Sequence, residues 1–137
     1  MARLPDWRSR LHAAIEGAMR APFVWGENDC AIGLAARCVQ AITGEDMAAP
    51  FRGTYDTAEG AIAALNDAGF ADLVAFALAH FEEIHPSQAR IGDLALIPSE
   101  PTGWTVGVFA GERIGVLTLK GYGTVERERA SRAFRVG

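Results

Sequence analysis

The chain carries few of the features that assign a function directly. Its 137 residues hold only two cysteines and three histidines, and acidic residues outnumber basic ones, for a formal net charge of −4. Nucleic acid and anionic lipid are recognised through a basic face, so this balance offers no general attraction to either. No long apolar run is present. The stretch from Leu73 to Ala79 falls far short of the roughly 20 residues that span a bilayer, so no membrane insertion is expected. The opening residues, MARLPDWRSRLHAAIEGAM, scatter charges where an export signal has its apolar core, and no secretory signal is expected. Cys30 and Cys38 on one helix are separated by about 12 Å of rise, beyond the ~7 Å limit for a disulfide. Reduced thiols and a cytoplasmic site of synthesis follow. Two thiols with no histidine nearby also make a poor zinc site, and no metal or cofactor is expected.

What is present is ordinary globular composition, half hydrophobic and about a fifth charged, at a length that builds one core readily, so residues 1–137 are expected to form a single domain. Residues 5–20 read as an opening helix, with Trp7, Leu11, Ala14, Ile15, Ala18 and Met19 at helical spacing. Ala21 before Pro22 ends it. Asn28 or Asp29 can cap a second helix running from about Cys30 to Thr43, with Gly44 at its left-handed end. Thr57 can cap a helix through Leu65, closed by Asn66 to Gly69, and Asp72 another through about Glu83. The period then changes. GDLALIP, WTVGVFAG, IGVLTLKG and the tail around AFRV read as short antiparallel strands, with a hairpin turn at Ala110 to Arg113. Glu126 to Arg129 read as a solvated strand face. Helices first and strands afterwards predict an α+β domain.

The stretch WGENDC carries the candidate chemistry. A cysteine at a helix start meets unpaired backbone N–H groups and the positive end of the helix dipole, which favour thiolate and prepare a site for an oxyanion. The plainer reading of the same residue is packing, since cysteine is among the most buried residue types. Asp93 reads as a structural turn residue. Trp25 and Trp104 read as core or as walls of a cleft beside Cys30.

The order Phe23-Val24-Trp25-Gly26, Asp29-Cys30, Gly92-Asp93-Leu94 and Val106-Gly107-Val108-Phe109 resembles the NlpC-type, papain-like cell-wall peptidases across about residues 20–125. A nearly end-to-end likeness is to a family of short phage-type proteins encoded among tail genes of prophages and gene-transfer-like particles. It is carried by WG-x-x-DC, Arg52-Gly53-Thr54-Tyr55, the helix Ala58 to Leu65, Gly69, Gly92-Asp93-Leu94 and Ala133-Phe134-Arg135-Val136. The first resemblance implies a papain-like, NlpC-type fold with N-terminal helices on a small antiparallel sheet, and Cys30 as the candidate nucleophile. In active peptidases of that kind a histidine precedes the Val-Gly-apolar-aromatic strand. Here that position is Thr105, whose hydroxyl cannot serve as general base near neutral pH, and no histidine follows His85.

Three functional classes follow. One is a structural, non-catalytic component of a phage-like tail, at the tail tip, made in the bacterial cytoplasm and assembled into the particle. Its partners would be other tail proteins such as the hub and distal tail proteins. The second is an active cysteine amidase or endopeptidase that cleaves peptidoglycan stem peptides during DNA entry. The third is a tail-assembly factor absent from the finished particle. Phe51, Arg52 and Tyr55 are candidate partner-binding residues, because aromatics and arginine are enriched at interface hot spots. The competing reading is that they lock the loop or plug the domain's own core.

Overall fold

The computed structural model describes all residues from Met1 to Gly137. Its elements in chain order are α1 (Trp7–Arg20), a π-helical segment (Cys30–Ala35) running directly into α2 (Ala36–Thr43), α3 (Ala58–Asp67) and α4 (Leu73–His80). There follow β1 (Glu82–Ile84), β2 (Leu94–Ser99), β3 (Gly103–Phe109), β4 (Arg113–Thr118), β5 (Gly121–Glu126) and β6 (Arg132–Arg135). All strand pairs are antiparallel, in the order β1-β6-β2-β3-β4-β5. The chain is therefore an α+β domain of four helices on a six-stranded antiparallel sheet. No helix is long and apolar enough to cross a membrane.

The caps explain the helix boundaries. Asp29 Oδ1 accepts from the N–H of Ile32 at 2.7 Å, Thr57 Oγ1 from Gly60 at 3.0 Å and Asp72 Oδ1 from Ala75 at 2.9 Å, each satisfying a donor that the helix leaves orphaned. Gly44 ends α2 in the left-handed region, φ +86°. The second helix begins with an over-wide turn, because the Asp29 carbonyl accepts from both Gly33 (2.9 Å) and Leu34 (3.1 Å). Such π turns occur often at functional sites.

Apolar side chains fill both faces of the sheet. Leu94, Leu96, Val106, Val108, Leu117 and Phe134 meet Leu34, Cys38, Val39 and Ile42 of the second helix. Ile84, Ala95, Ile97, Phe109, Ile114, Val116 and Ala133 form a smaller cluster on the other face. Full burial of a side chain such as Leu34 or Ile42 contributes about 1.5–3 kcal/mol. The strand run LALI is apolar throughout because both of its faces are covered.

Three sequence expectations need correction. α4 stops at His80 rather than near Glu83, because Glu82 to Ile84 leave the helix to pair with β6. There Ile84 enters the smaller core, while Glu83 meets Arg132 at 2.7 Å and Glu82 meets Arg135 at 3.3 Å. GYGTVE, not singled out in the sequence, forms β5 against β4. Arg127 to Arg129 form a 3-10 turn rather than a strand face. The Arg127 guanidinium lies 4.6 Å over the Phe109 ring and donates to the carbonyls of Gly111, Pro86 and Ala89.

Candidate functional site

The local geometry around Cys30 starts with two glycines. Gly26 has φ +81°, and any Cβ there would collide with the Tyr55 carbonyl, so this tight approach requires glycine. A Cβ on Gly33 would strike the Asn28 backbone, so a small residue there lets the chain fold against the first turn of the helix. Between them the Asp29 side chain is buried. Its Oδ2 accepts from the Gly26 N–H at 3.0 Å and from the Tyr55 hydroxyl at 2.5 Å. With Ile32 on Oδ1, one carboxylate ties together the turn before Cys30, the helix start and the 44–57 loop.

Cys30 begins the π segment, and the segment packs on β3 and β4. β3 pairs with β4 only through Val108 and Phe109. The N–H of Val106 has no partner on β4 there, and with those of Ala31 and Cys30 itself it acts on the Cys30 thiol. Thr105 precedes Val106 and pairs with Ile97 of the smaller core. Strand alternation sends its side chain to the face opposite Val106.

The thiol chemistry departs from the helix-dipole expectation. Burial pushes the Cys30 thiol up to about 12 from its ordinary 9.0. The neighbouring Asp29 charge raises it further, against the N–H groups of Val106, Ala31 and Cys30 itself, which lower it. Desolvation and a like charge thus outweigh the helix terminus. Burial, followed by Asp29, also pushes the Tyr55 phenol well above its usual range. Cys38 lies fully buried on the same helix, and burial alone raises its thiol to about 12. Both cysteines are free thiols.

The histidines occupy other places. His12 is exposed on α1 and meets Glu16 at 2.7 Å. His80 is exposed at the end of α4, stacked on Phe76 with ring centroids 4.2 Å apart. His85 Nδ1 lies 2.7 Å from Ser87 Oγ, in a polar depression shared with Arg127 and Arg132.

The loop residues singled out in the sequence turn toward the domain itself. Phe51 meets Phe76 edge-on with centroids 5.9 Å apart, and Arg52 forms a forked pair with Asp46 at 3.0 and 3.1 Å. Tyr55 holds Asp29. Asp93 is fully buried, bonded to Arg3, the Val136 N–H and the Arg90 N–H. Trp25 stands in the wall of a cavity that Cys30 also lines. Trp104 is half-buried against the main core.

That cavity, about 170 Å³, lies beneath α3 and α4 and above the second helix and the sheet. Sequence reasoning missed it. The available signals were the alanine-rich α3 and the apolar residues on every side of α4.

The chain belongs to the DUF6950 family, a domain of unknown function, which it matches over residues 2–136. No curated protein matches it.

Proposed function

We propose that this protein is a structural component of a phage-like tail, at the tail tip, built on a papain-like, NlpC-type fold that has lost its cysteine-peptidase chemistry. The observation that carries the loss of chemistry is that no imidazole stands beside Cys30: the cavity it lines has no histidine, and His12, His80 and His85 are engaged elsewhere. A nucleophilic cysteine needs an adjacent base or a lowered pKa; this thiol has a carboxylate neighbour and is raised. The tail assignment rests on the resemblance carried by Trp25-Gly26, Asp29-Cys30, Arg52 to Tyr55, Gly92-Asp93-Leu94 and Ala133 to Val136.

Three experiments test the reading. Purified protein incubated with peptidoglycan should release no more stem-peptide fragments than Cys30→Ala does. Turnover that disappears in Cys30→Ala would instead support the amidase or endopeptidase reading. Mass spectrometry of purified particles should find the chain among the tail proteins, whereas its presence only in assembling lysates would favour an assembly factor. A pull-down with hub and distal tail proteins, comparing wild type with Arg52→Ala and Tyr55→Ala, reads the contribution of the 50–55 loop.

A further inference from the structure

The cavity beneath α3 and α4 has a composition unlike that of a peptide or sugar cleft. Its floor is Ile32, Val39, Leu94, Leu96, Val106 and Phe134; its roof comes from α3, α4 and the loop carrying Phe51. The polar side chains at its edge are already engaged. Asp29 is saturated by Gly26, Ile32 and Tyr55, Asp72 caps α4, and the Thr102 hydroxyl donates to the Trp104 carbonyl at 2.8 Å. No buried side-chain nitrogen or oxygen lacks a partner.

Packing explains why the space exists. The π segment rests directly on β3 and β4, and α1 rests on α2, whereas α3 and α4 make no comparable backbone approach to the sheet. Both sides of the space carry alanines among larger apolar residues: Ala61 of α3 and Ala77 of α4 on one side, Ala31, Ala35 and Ala36 of the second helix on the other. Water that enters finds a lining that is almost wholly apolar, so an apolar group that displaces it is favoured. The space of about 170 Å³ is of the size that accepts a single benzene ring in an apolar cavity, and it opens to solvent beside the exposed Ile62.

We infer that this cavity is a binding site for a compact apolar group, a single aromatic ring or the end of an aliphatic chain, recognised by shape and burial without hydrogen bonds. The site excludes sugars and peptide backbone, whose polar groups would find no partners and would be left desolvated. This inference goes beyond the tail reading and does not depend on it. The raised Cys30 thiol at the edge belongs to the wall and does not attack the ligand.

The test is methyl and aromatic NMR on the full chain in buffer saturated with toluene, with n-hexanol as the aliphatic arm. Glycerol and N-acetylalanine amide are the polar comparisons. Toluene, hexanol or both should shift the methyl signals of Leu94, Leu96 and Val106 and the rings of Phe51 and Phe76, and should raise the melting temperature. The polar probes should do neither. Ala61→Leu fills the space from the roof and Ala36→Leu from the opposite helix. Each, when folded by circular dichroism, should weaken apolar binding by at least about tenfold, while Ala63→Leu on the exposed side of α3 should change it by less than about twofold. The inference is overturned if neither apolar probe shifts those signals, if both filling variants fold and bind as wild type does, or if the polar probes bind equally well.

Discussion

The Tyr55 hydroxyl donates to Asp29 Oδ2 at 2.5 Å, bridging 26 residues of sequence between the 44–57 loop and the cap of the helix that carries Cys30. The loop is therefore fastened at the one carboxylate that also shapes the cysteine's surroundings. Tyr55→Phe removes this bond while keeping the ring, and should cost roughly 1.5–3 kcal/mol, the range for a hydrogen bond to a charged group. Urea denaturation checks this. An unchanged midpoint would mean that the bond contributes nothing net.

Both thiols should react slowly. With Cys30 and Cys38 each pushed up to about 12, little thiolate exists near neutral pH. Alkylation of the native protein by iodoacetamide at pH 7.5 should run at least about a hundredfold slower than that of an ordinary exposed cysteine, with normal rates returning in denaturant. Rapid, selective labelling of Cys30 in the native state would show that the helix terminus prevails over burial after all.

The same shifts give stability an alkaline limit. Unfolded cysteines lose their protons near 9.0, whereas the folded ones hold theirs to about 12. Between those values the folded state binds more protons, so stability falls as pH rises, by up to about 1.4 kcal/mol per pH unit for each thiol. Below pH 9 this contribution is fully present. Denaturation midpoints measured from pH 8 to 11 should decline more steeply for wild type than for Cys38→Ala. Parallel declines would remove Cys38 from the effect.

Arg127 and Arg129 offer a contrast within one 3-10 turn. Arg127 serves three backbone carbonyls and covers Phe109, whereas Arg129 is exposed. Arg127→Ala should cost about 2–3 kcal/mol, and Arg129→Ala less than about 0.5 kcal/mol. Thermal melts of the two variants side by side decide this. Equal losses would mean that the turn responds to charge rather than to these contacts.

Breaking the buried Arg3–Asp93 pair, 3.1 Å apart, should be costlier still. Asp93→Ala removes the carboxylate that balances the Arg3 charge, leaving Arg3 only the Val136 and Ile91 carbonyls, and deprives the Val136 and Arg90 N–H groups of their acceptor; roughly 3–5 kcal/mol is expected. A folded variant with a near-native melting temperature would contradict the assignment of Asp93 as a structural anchor.

Local chemistry made much of this fold legible. Asp29, Thr57 and Asp72 announce helix starts because a side-chain oxygen must meet orphaned N–H groups, and Gly44 announces an end by its left-handed backbone. The apolar strand runs announce themselves by composition. The misreadings arose where distant residues decide. Glu82 and Glu83 extend the helical pattern on paper, and only the pairing with Arg135 and Arg132, some fifty positions away, turns them into a strand. The helical placement of Cys30 was readable, but the balance between dipole and burial around its sulfur was not. That balance depends on Asp29, Val106 and the apolar walls meeting in space. The roles of Phe51, Arg52 and Tyr55 were open in the sequence, where an inward-facing and an outward-facing aromatic look alike.

The position of β6 affects how the molecule can assemble. This strand is the last element made, yet it lies inside the sheet, with β1 on one side and β2 on the other. Hairpins β2-β3, β3-β4 and β4-β5 can form between neighbours in sequence as the chain lengthens. β1, by contrast, has no partner until Arg132 to Arg135 arrive to lie against it. Until then the β2 edge is bare, a template for pairing with another chain. Closure by β6 should thus be a late, non-local event. In pulsed hydrogen exchange during refolding, amides of β1 and β6 should gain protection after those of β3 and β4; simultaneous protection would assign the whole sheet to a single step.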